Sequence, residues 1–174
     1  MKRYLIIVAS AAALCVPAAA LAADATPNAS QLALQSCKTQ QTQLGATFNT
    51  TYGTNASKSN AFGKCVSKAM HAAQAAIQNA SQQCQAEAAD TNFASTHSGQ
   101  TFAQVYGSGN GKNAGANAMG KCVSTKAHAA NDARTAAVIK AAKACKAART
   151  ANATTFAQTY SSLGACVSAK TKSS

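Results

Sequence analysis

One unit occurs three times along the chain, and each copy sets two cysteines at defined places: Cys, spacer, Phe-x-x-x-Tyr, spacer, Gly-x-Cys-Val-Ser. The first copy runs from Cys37 through Phe48 and Tyr52 to Gly63-Lys64-Cys65-Val66-Ser67. The second runs from Cys84 through Phe102 and Tyr106 to Gly120-Lys121-Cys122-Val123-Ser124, and the third from Cys145 through Phe156 and Tyr160 to Gly164-Ala165-Cys166-Val167-Ser168. Cys and Phe are 11, 18 and 11 residues apart, and Tyr and the second Cys 13, 16 and 6. Variation of that kind belongs in connecting loops. Repetition with paired cysteines predicts an array of small cross-linked units.

Such cross-links answer a shortage in the composition. The 174 residues hold no Trp, 5% aromatic residues and 11% charged ones, and Ala outnumbers the large apolar side chains. Burial of Leu, Ile, Val and Phe alone would hardly offset the chain entropy lost on folding. The compartment suits disulfides too. Met1-Lys2-Arg3, an apolar run from Tyr4 to Ala20 and the small residues around Ala22 read as an export signal over 1–22, with cleavage expected after Ala22. An uncleaved anchor is the alternative, which Pro17 and the small-residue site disfavour, and bulky Leu14 before Cys15 argues against a lipid-modified cysteine. Cleavage leaves six cysteines, an even number that suits an oxidising compartment. It also removes Lys2 and Arg3, lowering the formal charge from +12 to +10.

The Ala-rich stretches at about 57–90 and 114–152 contain no Pro and read as two long helices. In the first, Phe62, Val66, Ala69 or Met70, Ala73, Ile77, Ala80 and Cys84 recur every three or four residues and form one stripe. Shorter helices are expected at about 30–44 and 162–170, and a loop at Gly107 to Gly115. Helix rise limits the disulfides. Cys65 and Cys84 would stand about 28 Å apart on one helix, and Cys122 and Cys145 about 34 Å, against the 7 Å or so that a disulfide tolerates. Of the pairings left, the one favoured joins Cys37 to Cys65, Cys84 to Cys122 and Cys145 to Cys166, each stapling the arms of one helix-loop-helix unit.

The strings Phe48 to Gly53 with Asn60 to Ser67, and Phe102 to Gly107 with Asn117 to Ser124, carry a resemblance. The chain resembles a group of short exported bacterial proteins in which Phe-x-x-x-Tyr-Gly is followed by Asn-Ala-Phe-Gly-Lys-Cys-Val-Ser. The likeness spans about residues 37–172. The third copy departs from it, with Ser161-Ser162-Leu163 before Gly164 and Ala165 in place of Lys. The resemblance implies export and brings no activity with it.

Candidate chemistry is sparse. Each Phe-x-x-x-Tyr pair puts two rings on one face of a helical turn, either as a ligand platform or, the favoured reading, as a plug above its disulfide. Gly115 to Cys122 mimics a phosphate-cradling loop, but Cys122 replaces the magnesium-binding hydroxyl and no apolar strand precedes Gly115, so no nucleotide is expected. His71 and His128 each lie six residues after a unit's second Cys, yet antiparallel helices would set them about 10 Å apart in level. With His97 alone in a loop and no Cys-x-x-Cys, no metal is expected. The carboxylates Asp24, Glu87, Asp90 and Asp132 pair with no obvious nucleophile, and cysteines held in disulfides cannot attack, so no enzyme and no cofactor are expected.

What remains is charge. Lys140, Lys143, Lys146 and Arg149 step by three along the second long helix and form a broad basic face. Such a face either keeps an Ala-rich protein soluble or contacts an anionic envelope polymer or lipid surface. Nucleic acid fits an exported chain with so few aromatics poorly. The sequence therefore predicts an all-α, disulfide-stapled set of helix-loop-helix repeats over 23–174, with units at about 37–68, 84–126 and 145–170. Two long antiparallel helices and two short terminal ones would build it. The expected role is that of a non-catalytic secreted or envelope-associated binding or structural protein, the alternative being a membrane-active cationic helical protein.

Overall fold

The computed structural model describes residues 27–108 and 115–172. The export-signal reading over 1–22, Asp24 and the middle of the Gly107–Gly115 loop lie outside the described residues. Among the described residues there are eight helices: α1 (Ala29–Leu44), α2 (Ala46–Tyr52), α3 (Ala61–Ala89), α4 (Phe93–Thr96), α5 (Phe102–Tyr106), α6 (Ala118–Ala151), α7 (Ala153–Thr159) and α8 (Leu163–Lys172). There are no strands among the described residues, and the lone bridge, Ser108 to Ala116, closes the base of the loop between α5 and α6. The four helices expected from the sequence are α1, α3, α6 and α8. The others are short turns, three of which carry the Phe-x-x-x-Tyr pairs.

Helices α3 and α6, of 29 and 34 residues, form the spine. They run antiparallel, since Ala61 and Cys65 at the start of α3 share an apolar cluster with Val138 to Cys145 near the end of α6. Correspondingly, Ala80 and Cys84 near the end of α3 cluster with Cys122 to Ala127 near the start of α6. Ala73, Ala80, Ala127 and Ala142 are 0–2% exposed, so small side chains let the two backbones come close. The buried line on α3 is Ala61, Cys65, Ala73, Ala80 and Cys84, with Phe62, Val66, Ala69 and Ile77 half-buried beside it. That is a slight rotation from the expected stripe, and it lets Cys65 face α1.

All three favoured disulfides form. Cys37–Cys65 ties α1 to α3, Cys84–Cys122 ties α3 to α6, and Cys145–Cys166 ties α6 to α8, with Cα separations of 5.9, 6.0 and 6.0 Å. Breaks between helices follow from local polar chemistry. Asn152 leaves helical geometry at the end of α6, and its side chain then accepts from Thr155 N at 2.9 Å, so one residue ends α6 and caps α7. Two glycine sites are dictated by close approach. A Cβ on Gly107 would stand 2.3 Å from Gly115 Cα, and one on Gly164 would meet Thr51 O of α2 at 2.5 Å.

The ring pairs have nearly one geometry in all three copies. Centroids lie 5.0, 5.0 and 5.3 Å apart in Phe48–Tyr52, Phe102–Tyr106 and Phe156–Tyr160, at 51°, 49° and 47°. Phe48 and Phe156 are buried in the cluster that holds Cys37–Cys65 and Cys145–Cys166, as a plug should be. In the second copy Phe102 is half-buried, and Phe93 of α4, 4% exposed, packs against it at 5.6 Å. The longer 18-residue spacer of that copy supplies this extra ring.

Candidate anion-binding face

Val138, Ala141, Ala142 and Cys145 turn the C-terminal half of α6 inward. Lys140, Lys143, Lys146 and Arg149 are consequently all exposed. Because steps of three residues fall short of a full turn by about 60° each, they cover a broad sector of the surface. The structure also gives this sector relief. Lys140 and Lys143 border a shallow groove between α1 and α6, with Thr39 and Gln43 opposite and Ile139 on its floor. Lys143 and Lys146 border a second, beside Thr150. Asp132 lies at the far end of the first groove. Arg149 sits in the last turn of α6, where a cation complements the negative end of the helix dipole.

A separate polar crevice opens where α1, α2, α3, α6 and α8 meet. Its floor is a hydrogen-bond relay whose direction can be assigned. Thr135 Oγ1 donates its one proton to Asn131 O at 2.8 Å, so at 2.7 Å it must accept from Ser36 Oγ. Ser36 Oγ accepts from Gln40 Nε2 at 3.0 Å, and Gln40 Oε1 accepts from the Tyr52 hydroxyl. Asn131 Nδ2 in turn donates to Leu32 O at 3.4 Å. Ser36, Gln40, Asn131 and Thr135 are 3–6% exposed, and the chain of partners meets the cost of burying them.

Tyr52 is thereby held as a donor. Burial pushes its hydroxyl up to about 12, against a smaller lowering pull from Arg134. Lys68 stands at the crevice mouth and donates to Ser168 Oγ at 2.6 Å. Loss of water around its ammonium lowers its pKa, and the like charges of Arg134 and Lys172 lower it further. The crevice is partly open to solvent with an interior volume of about 30 Å³, and none of its lining residues carries a carboxylate.

At the other end of the spine, Glu87 accepts from Tyr106 Oη at 3.1 Å and pairs with Lys126 at 2.9 Å. Asp90 accepts from Asn92 N at 2.8 Å in the turn after α3. His71 and His128 are exposed on α3 and α6. His97, expected alone in a loop, follows α4, stacks on Phe93 at 3.7 Å and bonds Phe93 O through Nδ1 at 2.9 Å. Among the described residues no group of three or more His, Cys, Asp or Glu gathers as a metal site. Cys122, in the phosphate-loop mimic, has its sulfur bonded to Cys84.

Sequence reasoning overlooked the crevice and Phe93. Part of the signal was present, since Ser36 and Gln40 lie four apart on the face of α1 that carries the apolar positions Leu32, Cys37 and Leu44, where polar side chains need buried partners. Nothing in the sequence pointed to Lys68 or Arg134. No protein-family model, curated protein or solved structure matches the chain.

Proposed function

We propose that the protein is a non-catalytic exported module that contacts an anionic component of the cell envelope through Lys140, Lys143, Lys146 and Arg149. The observation that supports this reading is the exposure of all four cations on one sector of a stapled helix, next to grooves that a polymer chain can follow. Three disulfides suit an oxidising compartment such as the extracellular space. Among the described residues no helix is long and apolar enough to cross a membrane, and the exposed large apolar side chains are Leu34 and Met119. Ala offers a bilayer little surface to bury, which favours a peripheral contact over a membrane-active role.

Co-sedimentation of the oxidised protein with isolated envelopes at low and high salt tests the proposal. Binding released by salt and abolished by K140E/K143E/K146E/R149E is expected, because exposed charges more than about 10 Å apart are screened at 0.1 M salt. Binding that ignores both salt and the four reversals would contradict it, as would no binding at low salt.

A further inference from the structure

We propose a second, compact anion site in the crevice between α1, α3, α6 and α8, one that takes a doubly charged tetrahedral oxyanion of the phosphate class. Two sets of groups point to it. The floor offers amide donors that are nine-tenths or more buried: Gln40 Nε2 and Asn131 Nδ2 each carry two N–H groups, and the relay and the Leu32 carbonyl use one of each. The mouth brings together the cations Lys68 and Arg134 on neighbouring long helices, with Lys172 close enough on α8 to repel Lys68.

Like charges drawn together around a polar hollow with no carboxylate in its lining work against folding. A bound dianion reverses the sign of that interaction. Asp132, the nearest acid in sequence, borders the neighbouring groove between α1 and α6 and does not line the crevice. Arg134 supplies a planar fork of donors and Lys68 a point charge that Ser168 already orients. The interior volume of about 30 Å³ is room for one small group, the remainder of any larger ligand lying in the open mouth. A singly charged planar carboxylate leaves part of the cation cluster uncompensated, which sets the preference for phosphate over acetate.

This site is distinct from the face on the far half of α6, so the two are separable by mutation. Titration of the oxidised full chain with inorganic phosphate, followed by calorimetry at constant ionic strength with acetate as comparison, reads it directly. Saturable phosphate binding is expected, weakened about tenfold or more in each of R134Q and K68Q and unchanged in K140Q/K143Q/K146Q/R149Q. Arg134 and Lys68 are exposed residues, so both variants should fold, and an unchanged circular dichroism spectrum verifies that.

Phosphatidylglycerol vesicles captured in the same Arg134-dependent way would place the phosphate on a lipid headgroup. Phosphate bound with no such capture would place it on a free ion. Either supports the site. Phosphate bound no better than acetate, or bound equally by R134Q and K68Q, would overturn it and leave the envelope contact on α6 untouched.

Discussion

Where α3 begins and α6 ends, two disulfides share one apolar cluster with the buried rings of Phe48 and Phe156; where α3 ends and α6 begins, Cys84–Cys122 is the one disulfide, among Leu32, Val123 and small Ala residues, with Phe102 and Tyr106 packed half-buried against them. The charges divide along the same line. Lys140, Lys143, Lys146 and Arg149 crowd the doubly stapled end, whereas Glu87 and Asp90 lie at the other and Glu87 is spent on Lys126 and Tyr106. One repeated unit thus yields two kinds of end. Uncompensated positive charge gathers where cross-links and aromatic plugs are densest, which is where its self-repulsion is best resisted.

The largest effect should come from unequal stapling. Loops of 28, 38 and 21 residues separate the paired cysteines, so the chain-entropy model gives each disulfide a similar contribution of about 3–4 kcal/mol. Their loss should nevertheless look different. C84A/C122A leaves its end with no cross-link, and amide exchange should accelerate at Ala80 to Cys84 and Cys122 to Ala127 while Ala61 to Cys65 stays protected. C145A/C166A leaves Cys37–Cys65 in place and should open α8 with little change around Phe48. Equal, global acceleration in both variants would erase the distinction between the ends.

A smaller effect isolates the polar floor of the doubly stapled end. The folded pKa of Tyr52, about 12, exceeds its ordinary value of 10.0, so the folded state holds this proton more tightly than the unfolded chain does. The contribution is therefore whole below about pH 10 and is lost as pH rises to about 12, amounting to about 2–3 kcal/mol. Urea unfolding of wild type and Y52F across that window should show wild type losing the excess, with Y52F lacking this component. Parallel pH profiles would mean that the hydroxyl is not sealed in the relay.

The smallest effect belongs to the other end. Both partners of Glu87–Lys126 keep side-chain exposures of 25–30%, so E87Q should cost no more than about 1 kcal/mol in chemical denaturation. The hydrogen bond from Lys126 to Glu87 is the largest cause raising the lysine pKa. The pair's contribution is accordingly present below the ordinary lysine range and fades above it. A loss of several kcal/mol would show that this end relies on electrostatics more than on its disulfide.

How far these ends were legible in the sequence depends on how many helices each feature draws upon. Helix rise ruled out Cys65–Cys84 and Cys122–Cys145 and the repeated helix-loop-helix unit favoured the pairing found, while α3 and α6 needed only Ala-rich runs without Pro. Their starts came about four residues late, because Asn60 folds back to Thr54 through bonds of 3.0 and 2.8 Å and Asn117 adopts a left-handed φ of 60°. Such side-chain turns compete with helix at positions that composition alone assigns to it. Phe93 escaped notice because a single ring in a polar spacer has no periodicity. The crevice escaped because Ser36, Tyr52, Lys68 and Arg134 come from four helices, and their meeting is a property of packing. The basic face of α6 was legible because one helix contains it entirely.

Backbone amide shift mapping during titration with short poly-L-glutamate at low salt tests most directly whether the doubly stapled end is the anion-facing one. A carboxylate polymer engages the α6 cations without supplying the dianion proposed for the crevice. Shifts confined to α6 from about 138 to 151 and to the facing part of α1 near Thr39 and Gln43, and reversed by salt, are expected. Shifts centred on Glu87, Lys126 and the Cys84–Cys122 disulfide, or none at low salt, would contradict it.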